Sequence, residues 1–299
     1  MTVAHGKLLD GNVALVTGAA VGLGNAFARA LAAEGARLVV CDVRAEELDA
    51  LARDLASNVG ALALVADVSR GDDVQRVVAR AQEAFGRIDV LVNNAGVWAG
   101  SLPGDPLDKT ARDYADVIGT NLEGSFLFGR AVIPLMIAQR GGDIVNVCTD
   151  HVQTCGSPWP LDHADAPDCP WAGRPPRPTG GGPAMDLYDA GKWAQLGLTF
   201  AWARALEPHG VRVNALCMGA TDSHMLRGFH NFDPPPSEVA RWMKAADVAR
   251  LMIDLIRDGR SGDYIGIAMG HPVVLPARRR YGLSRRAGST TGCPIAIPM

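Results

Sequence analysis

The sequence predicts a doubly wound α/β domain: a seven-stranded, mainly parallel sheet with helices on both faces. Short apolar runs rich in Val, Leu and Ile alternate with longer Ala/Arg/Glu/Leu segments whose apolar residues recur at helical spacing. The first strand starts fall about 25 residues apart, the size of a compact strand–helix unit, and right-handed crossovers then put helices on both sides of the sheet. At 299 residues and 48% hydrophobic, the chain is long enough to bury a core without disulfide or metal staples.

The elements follow in order. Residues 13–17 and 37–42 are short and almost wholly apolar, as strands covered on both faces must be, and 62–67 and 88–93 repeat the pattern. The helical segments 23–34, 45–57 and 72–85 lie between them. Further strands are expected at 143–148, 211–217 and 264–269, and helices at 110–139, 188–207 and 245–258. Two stretches break the rhythm. Residues 151–187 hold eight of the 19 prolines, with Trp159, Trp171 and three glycines at 180–182, a density no helix or internal strand tolerates. The tail, residues 272–299, has no acidic residue and carries Arg278, Arg279, Arg280, Arg285 and Arg286. The expected organisation is one domain over 1–299 with an insert at 151–187 and a basic tail.

Composition excludes several classes of function. With 29 basic against 32 acidic residues and a net charge of −3, nothing favours nucleic acid or an anionic membrane as partner. The longest uncharged run of the first third, residues 11–28, is broken by glycine and asparagine and does not read as a membrane span. No secretory leader is evident, and six cysteines (41, 148, 155, 169, 217, 293) without a repeating framework read as free thiols. A cytoplasmic protein is expected.

The chemistry-bearing motifs sit where strands end. Thr17-Gly18-Ala19-Ala20-Val21-Gly22-Leu23-Gly24 follows the first strand and opens the first helix. Such a turn needs glycine for its backbone angles and for the approach of a pyrophosphate to the helix N-terminus. Asp42 ends the second strand, 18 residues past Gly24, where a carboxylate can accept both ribose hydroxyls of NAD and repel the 2′-phosphate of NADP; Arg44 is a weaker counter-signal. Asn93-Asn94-Ala95-Gly96 ends the fourth strand. Tyr188 and Lys192, one helical turn apart, share a face.

In this order and context the motifs resemble the classical short-chain dehydrogenase/reductase family, over roughly residues 8–150 and 185–270. The resemblance implies a Rossmann-like fold, NAD as cofactor, and a homodimer or homotetramer acting on a small-molecule alcohol or ketone. It assigns Tyr188 as the catalytic acid/base, and Lys192 as its partner and holder of the nicotinamide ribose. Asn121 becomes the support of a water relay, and Thr149 falls where the catalytic serine belongs. It places Gly18, Gly22, Leu23, Gly24, Asp42, Asp67, Val68, Asn94, Gly96 and Thr221 along the cofactor. The family's Ser-Ser after the fifth strand is here Cys148-Thr149, and its Pro-Gly after the sixth is Met218-Gly219.

Elementary chemistry agrees. A free phenol titrates near ~10, and a nearby ammonium together with an oxidised nicotinamide would favour the phenolate that takes an alcohol's proton. A dinucleotide-sensing regulator, or an epimerase or dehydratase on the same fold, remains open. Cys148 lacks an evident base partner, and His151, Cys155, His163 and Cys169 match no metal-binding spacing, so no metal is expected. The tail arginines read as a solvated or subunit-facing stretch, with an anionic-substrate role as the alternative.

The insert generates one prediction. Thr149 and Tyr188 are 39 residues apart yet must face one substrate oxygen, so the excess chain is anchored beside the site. Trp159 and Trp171, with Trp98 and Trp242, could wall a pocket for a bulky cyclic or aromatic alcohol. Replacing residues 153–184 with a short linker should preserve folding and dinucleotide binding and raise KM for the true substrate severalfold. Unchanged kinetics in a folded deletion would leave the insert an assembly role.

Overall fold

The computed structural model describes residues 6–56, 60–152, 185–267, 269–270 and 272–277. Most of the insert, with Trp159, Trp171, Cys155, His163 and Cys169, and all five tail arginines lie outside the described residues.

Seven parallel strands form one sheet in the order β3-β2-β1-β4-β5-β6-β7. They are β1 (Val13–Thr17), β2 (Arg37–Asp42), β3 (Ala61–Val65), β4 (Val90–Asn93), β5 (Gly142–Thr149), β6 (Val211–Met218) and β7 (Tyr264–Ile267). The expected sheet is therefore present, and among the described strands it is wholly parallel. Helices α1 (Gly22–Ala33), α2 (Ala45–Ala56), α3 (Gly71–Phe85), α4 (Leu107–Ile118), α5 (Gly124–Gln139) and α6 (Asp186–Leu206) connect them, followed by short α7 (His224–Gly228) and α8 (Pro236–Val239) and by α9 (Ala245–Asp258). Two apolar clusters cover the two faces. One gathers Phe27, Leu31, Leu48 and Met252, and the other Val77, Phe128, Met136 and Trp202.

The elements depart from the sequence reading at several points. β3 stops at Val65 because Asp67 turns its carboxylate onto the Ser69 N–H (3.0 Å) and hydroxyl (2.7 Å), ending the ladder in a capped turn. It is an edge strand and only half-buried, unlike β1 and β4. The single helix expected over 110–139 is α4 and α5 joined by a π turn, Gly119–Glu123.

α6 is fastened to the sheet by buried polar groups as well as apolar packing. The Asn146 amide on β5 donates to Thr199 Oγ1 (2.8 Å), the Thr199 hydroxyl donates to the Gln195 carbonyl (3.0 Å), and the Asn93 amide on β4 donates to Asn146 Oδ1 (2.9 Å). Thr199→Val keeps the shape and strands the Asn146 amide away from water. It should cost about 1–3 kcal/mol of stability, read as a lower urea midpoint at unchanged slope; an unchanged midpoint would mean the bond holds nothing.

Candidate active site

The carboxyl ends of β1, β4, β5 and β6 converge at the point where the strand order reverses, between β1 and β4. The turn after β1 runs Gly18, with φ +61°, to Gly22 and Leu23 at the start of α1. A Cβ on Gly18 would lie 2.7 Å from Ala95 Cα, and one on Gly24 would lie 2.0 Å from the Gly18 carbonyl oxygen. No side chain fits at either position. The Asn94 amide donates to the carbonyls of Thr17 (3.0 Å) and Gly18 (2.9 Å), and Thr17 Oγ1 accepts the N–H groups of Asn94 and Ala95 (both 3.1 Å). The first turn of α1 carries no acidic residue, so its N–H groups and dipole are open to an anion. Leu23 is half-buried against the core below. This cradle fits a dinucleotide pyrophosphate.

Asp42 is buried at the end of β2. Its two carboxylate oxygens accept the N–H groups of Ala20 (2.9 Å) and Arg44 (3.0 Å), which fixes the carboxylate beside the glycine turn. The Arg44 guanidinium, just before α2, lies 3.7 Å from Glu47 in that helix's first turn. Asp67 caps its turn as described, and Val68 is buried beneath Gly124 at the start of α5. Beyond β6, Thr221 is buried and its hydroxyl donates to the Gly219 carbonyl (3.0 Å); Ser223 and His224, just after it, lie against Gly22. The segment after β6 thus closes on the glycine turn.

The other cluster lies around α6. Thr149 ends β5, buried, and its Oγ1 accepts the His151 N–H (3.4 Å), which leaves the hydroxyl proton available. Tyr188 is half-buried in the first turn of α6, and Lys192 follows one turn later, fully enclosed. The Lys192 ammonium donates to the Val147 carbonyl (2.6 Å) and to Gln195 Oε1 (3.1 Å), and it stands 5.8 Å from the centre of the Tyr188 ring. A Cβ built on Gly96 would lie 3.3 Å from Asn121 Oδ1 and 3.8 Å from Lys192 Nζ. Asn121 sits in the π turn, with its amide paired to the Val97 backbone through both a donor (2.9 Å) and an acceptor (2.7 Å). The structure therefore brings Gly96, Asn121 and Lys192 together, and sets Thr149 and Tyr188 each next to His151.

The electrostatics differ from the sequence expectation. Burial, reinforced by Cys148 in its thiolate form and by the carboxylates of Asp189 and Asp150, pushes the Tyr188 phenol up rather than down. Burial also pushes the Lys192 ammonium below the ordinary lysine range. The protein's own groups hold Tyr188 as a neutral phenol.

Two residues at the site gave no signal in the sequence. Gln195 and Ser125 are buried and linked, the Gln195 amide donating to Ser125 Oγ (2.7 Å). His151, one of four residues in the rejected zinc spacing, has its Nδ1 2.7 Å from Asp189 Oδ1, and its ring stands edge-on 6.4 Å from Tyr188. Trp98 meets Phe229 edge to face at 4.6 Å, joining the loop after β4 to the segment after α7, whereas Trp242 is buried beside His230.

Comparison with known proteins gives the same direction. Residues 12–158 match the family model described as short chain dehydrogenase, and residues 178–262 the one described as Enoyl-(Acyl carrier protein) reductase. The 3-oxoacyl-(acyl-carrier-protein) reductase FabG of Thermotoga maritima is 32% identical over 270 residues, 88% of this chain and 98% of that protein. The sorbitol dehydrogenase of Cereibacter sphaeroides is 31% identical over 268 residues, 87% of this chain and 90% of its own. A crystal structure of a short chain dehydrogenase from Burkholderia cenocepacia in complex with NADP shares the fold with a TM-score of 0.68. It is 31% identical and covers 87% of this chain and 97% of its own.

Proposed function

Because the chain belongs to the short-chain dehydrogenase/reductase family, we propose that it is an NAD-dependent oxidoreductase interconverting a secondary alcohol and a ketone, with Tyr188 as acid/base. The observation that carries this reading is the placement of Tyr188 and Lys192 on one face of α6, with the ammonium lodged between β5 and Gly96 at the edge of the glycine cradle.

A dinucleotide held in this cradle would supply the hydride-transfer chemistry. Gly18, Gly22, Leu23 and Gly24 form the turn that admits its pyrophosphate, with Asn94 bracing the turn. Asp42 retains lone pairs beyond those used by Ala20 and Arg44, and these accept ribose hydroxyls. The same carboxylate repels a 2′-phosphate, and Arg44, turned toward Glu47, is poorly placed to compensate. Asp67 and Val68 border the adenine side, Gly96 and Thr221 the nicotinamide side. Lys192 holds the neighbouring ribose with its remaining N–H. Thr149 donates its hydroxyl proton to the substrate oxygen, and Tyr188 gives that oxygen a proton in reduction or takes one in oxidation. Asn121 fixes Val97 and so the backbone over the reacting centre. Trp98 and Phe229 offer an apolar wall suited to a bulky cyclic or aromatic substrate. The absence of any helix, among the described residues, long and apolar enough to cross a membrane is in keeping with a cytoplasmic enzyme, and the family analogy adds a homodimer or homotetramer.

The test is reduction of NAD across a panel of cyclic and aromatic alcohols, followed by NADH absorbance. Tyr188→Phe should lower turnover by about 10²–10⁴-fold with dinucleotide affinity intact, and Thr149→Ala should cost less. Since the phenol starts neutral, alcohol oxidation should climb with pH while ketone reduction does not. NAD should bind at least about tenfold more tightly than NADP, a difference of about 1.4 kcal/mol, and Asp42→Ala should narrow the gap. Equal affinity in the native protein contradicts the role of Asp42. Tight NAD binding with no turnover on any alcohol points to a sensor instead.

A further inference from the structure

We propose that Gln195 is a positioning residue for Lys192, holding its ammonium in direction and keeping it charged; this rests on the reading of Lys192 given above. A lysine ammonium has three N–H donors. Two are spent inside the protein, on the Val147 carbonyl and on Gln195 Oε1, so the third is the one left for the ribose. No carboxylate among the described residues forms an ion pair with Lys192, and the side-chain acceptor it has is Gln195.

The orientation of the Gln195 amide is dictated by a chain of donors. The Ser125 hydroxyl gives its proton to the Asn121 carbonyl (3.0 Å), so it can only accept from Gln195 Nε2 (2.7 Å). The amide oxygen must then face the other way, toward Lys192 Nζ (3.1 Å) and the Cys148 thiol (3.5 Å). A flipped amide would set its N–H₂ against an ammonium. The path from Asn121 through Ser125 and Gln195 to Lys192 therefore runs through side chains and backbone of α6, α5 and the π turn. Gln195 is 0% exposed and cannot turn to water for relief.

Charge follows from the same bond. Burial already lowers the Lys192 ammonium, and an acceptor on it favours the charged form. The other groups facing it are Cys148 on β5 and Cys217 on β6, whose thiolate forms raise it, and Tyr188 on its own helix; Ser125 and Asn121 on α5 and the π turn are neutral. Loss of the Gln195 oxygen must lower the ammonium further, and a carboxylate in its place must raise it.

The chain has four lysines, so ε-¹³C-lysine labelling resolves Lys192 by NMR in the protein without dinucleotide, with Lys192→Arg as the assignment control. Gln195→Leu should move the Lys192 titration down by about one unit, and Gln195→Glu should move it up by a similar amount. The alkaline loss of NAD affinity should shift with it, so that Gln195→Leu binds NAD about tenfold more weakly at high pH and nearly normally at low pH. If Gln195→Leu unfolds because Ser125 is stranded, the double variant Gln195→Leu/Ser125→Ala removes both polar groups and serves in its place. A Lys192 titration unmoved by all the folded variants overturns the proposal and leaves Gln195 a packing residue. If Lys192→Ala binds NAD and turns over normally, the underlying reading of Lys192 fails; the NMR titration remains interpretable without it.

Discussion

The closeness of two backbone segments, the turn leaving β1 and the chain leaving β4, is the constraint on which the rest of the site depends. β1 and β4 are neighbours in the sheet, but their connections depart to opposite sides, so a crevice opens above them. Asn94 holds that crevice at a fixed width, because one side-chain amide ties down two successive carbonyls of the opposing turn. Thr17 answers from the other side by accepting two backbone N–H groups of the β4 chain. Between them the glycine turn cannot drift, and α1 begins where its free N–H groups face the crevice. Asp42, bonded to Ala20 in that turn, is carried along with it.

A second region depends on a buried cation. Enclosing an ammonium without a carboxylate is costly, and the protein offsets that with neutral acceptors. Removing either acceptor would leave the charge under-solvated inside a close-packed core. The same burial leaves Tyr188 a neutral phenol, so on this structure a basic phenolate needs positive charge from outside the chain. The division is physically sensible: the protein fixes geometry, and the charge that drives proton transfer arrives with the cofactor in the proposed reaction.

Much of this was legible in the sequence, for identifiable reasons. Strands covered on both faces leave β-branched and leucine-rich runs that local chemistry alone can find, and β1 and β2 have the bounds expected. Glycine positions are visible because nothing else fits the turn. β3 was read two residues too far because Asp67 spends its side chain on a local turn, a choice that apolar patterning does not record. Gln195 was invisible, since one polar residue on an amphipathic helix ordinarily faces water, and its partner Ser125 lies 70 residues away in the chain. The pairing of His151 with Asp189 was hidden for the same reason, with the insert between them. What these residues do is set by tertiary neighbours.

The π turn between α4 and α5 carries a further consequence, for chain length rather than composition. It lets Gly119–Glu123 span a stretch that a regular helix would cover with one residue fewer, and Asn121 lies inside it. Exchanging Leu122 or Glu123 alters a side chain. Deleting either would let the turn close into ordinary helix over the same span, with α4 and α5 kept in phase but the widened turn lost. Asn121 would then lose the geometry that pairs its amide with the Val97 backbone, while the apolar face of α5 stayed on the sheet. Single-residue gaps in this helix are therefore expected to be far rarer among functional descendants of the chain than substitutions at the same positions.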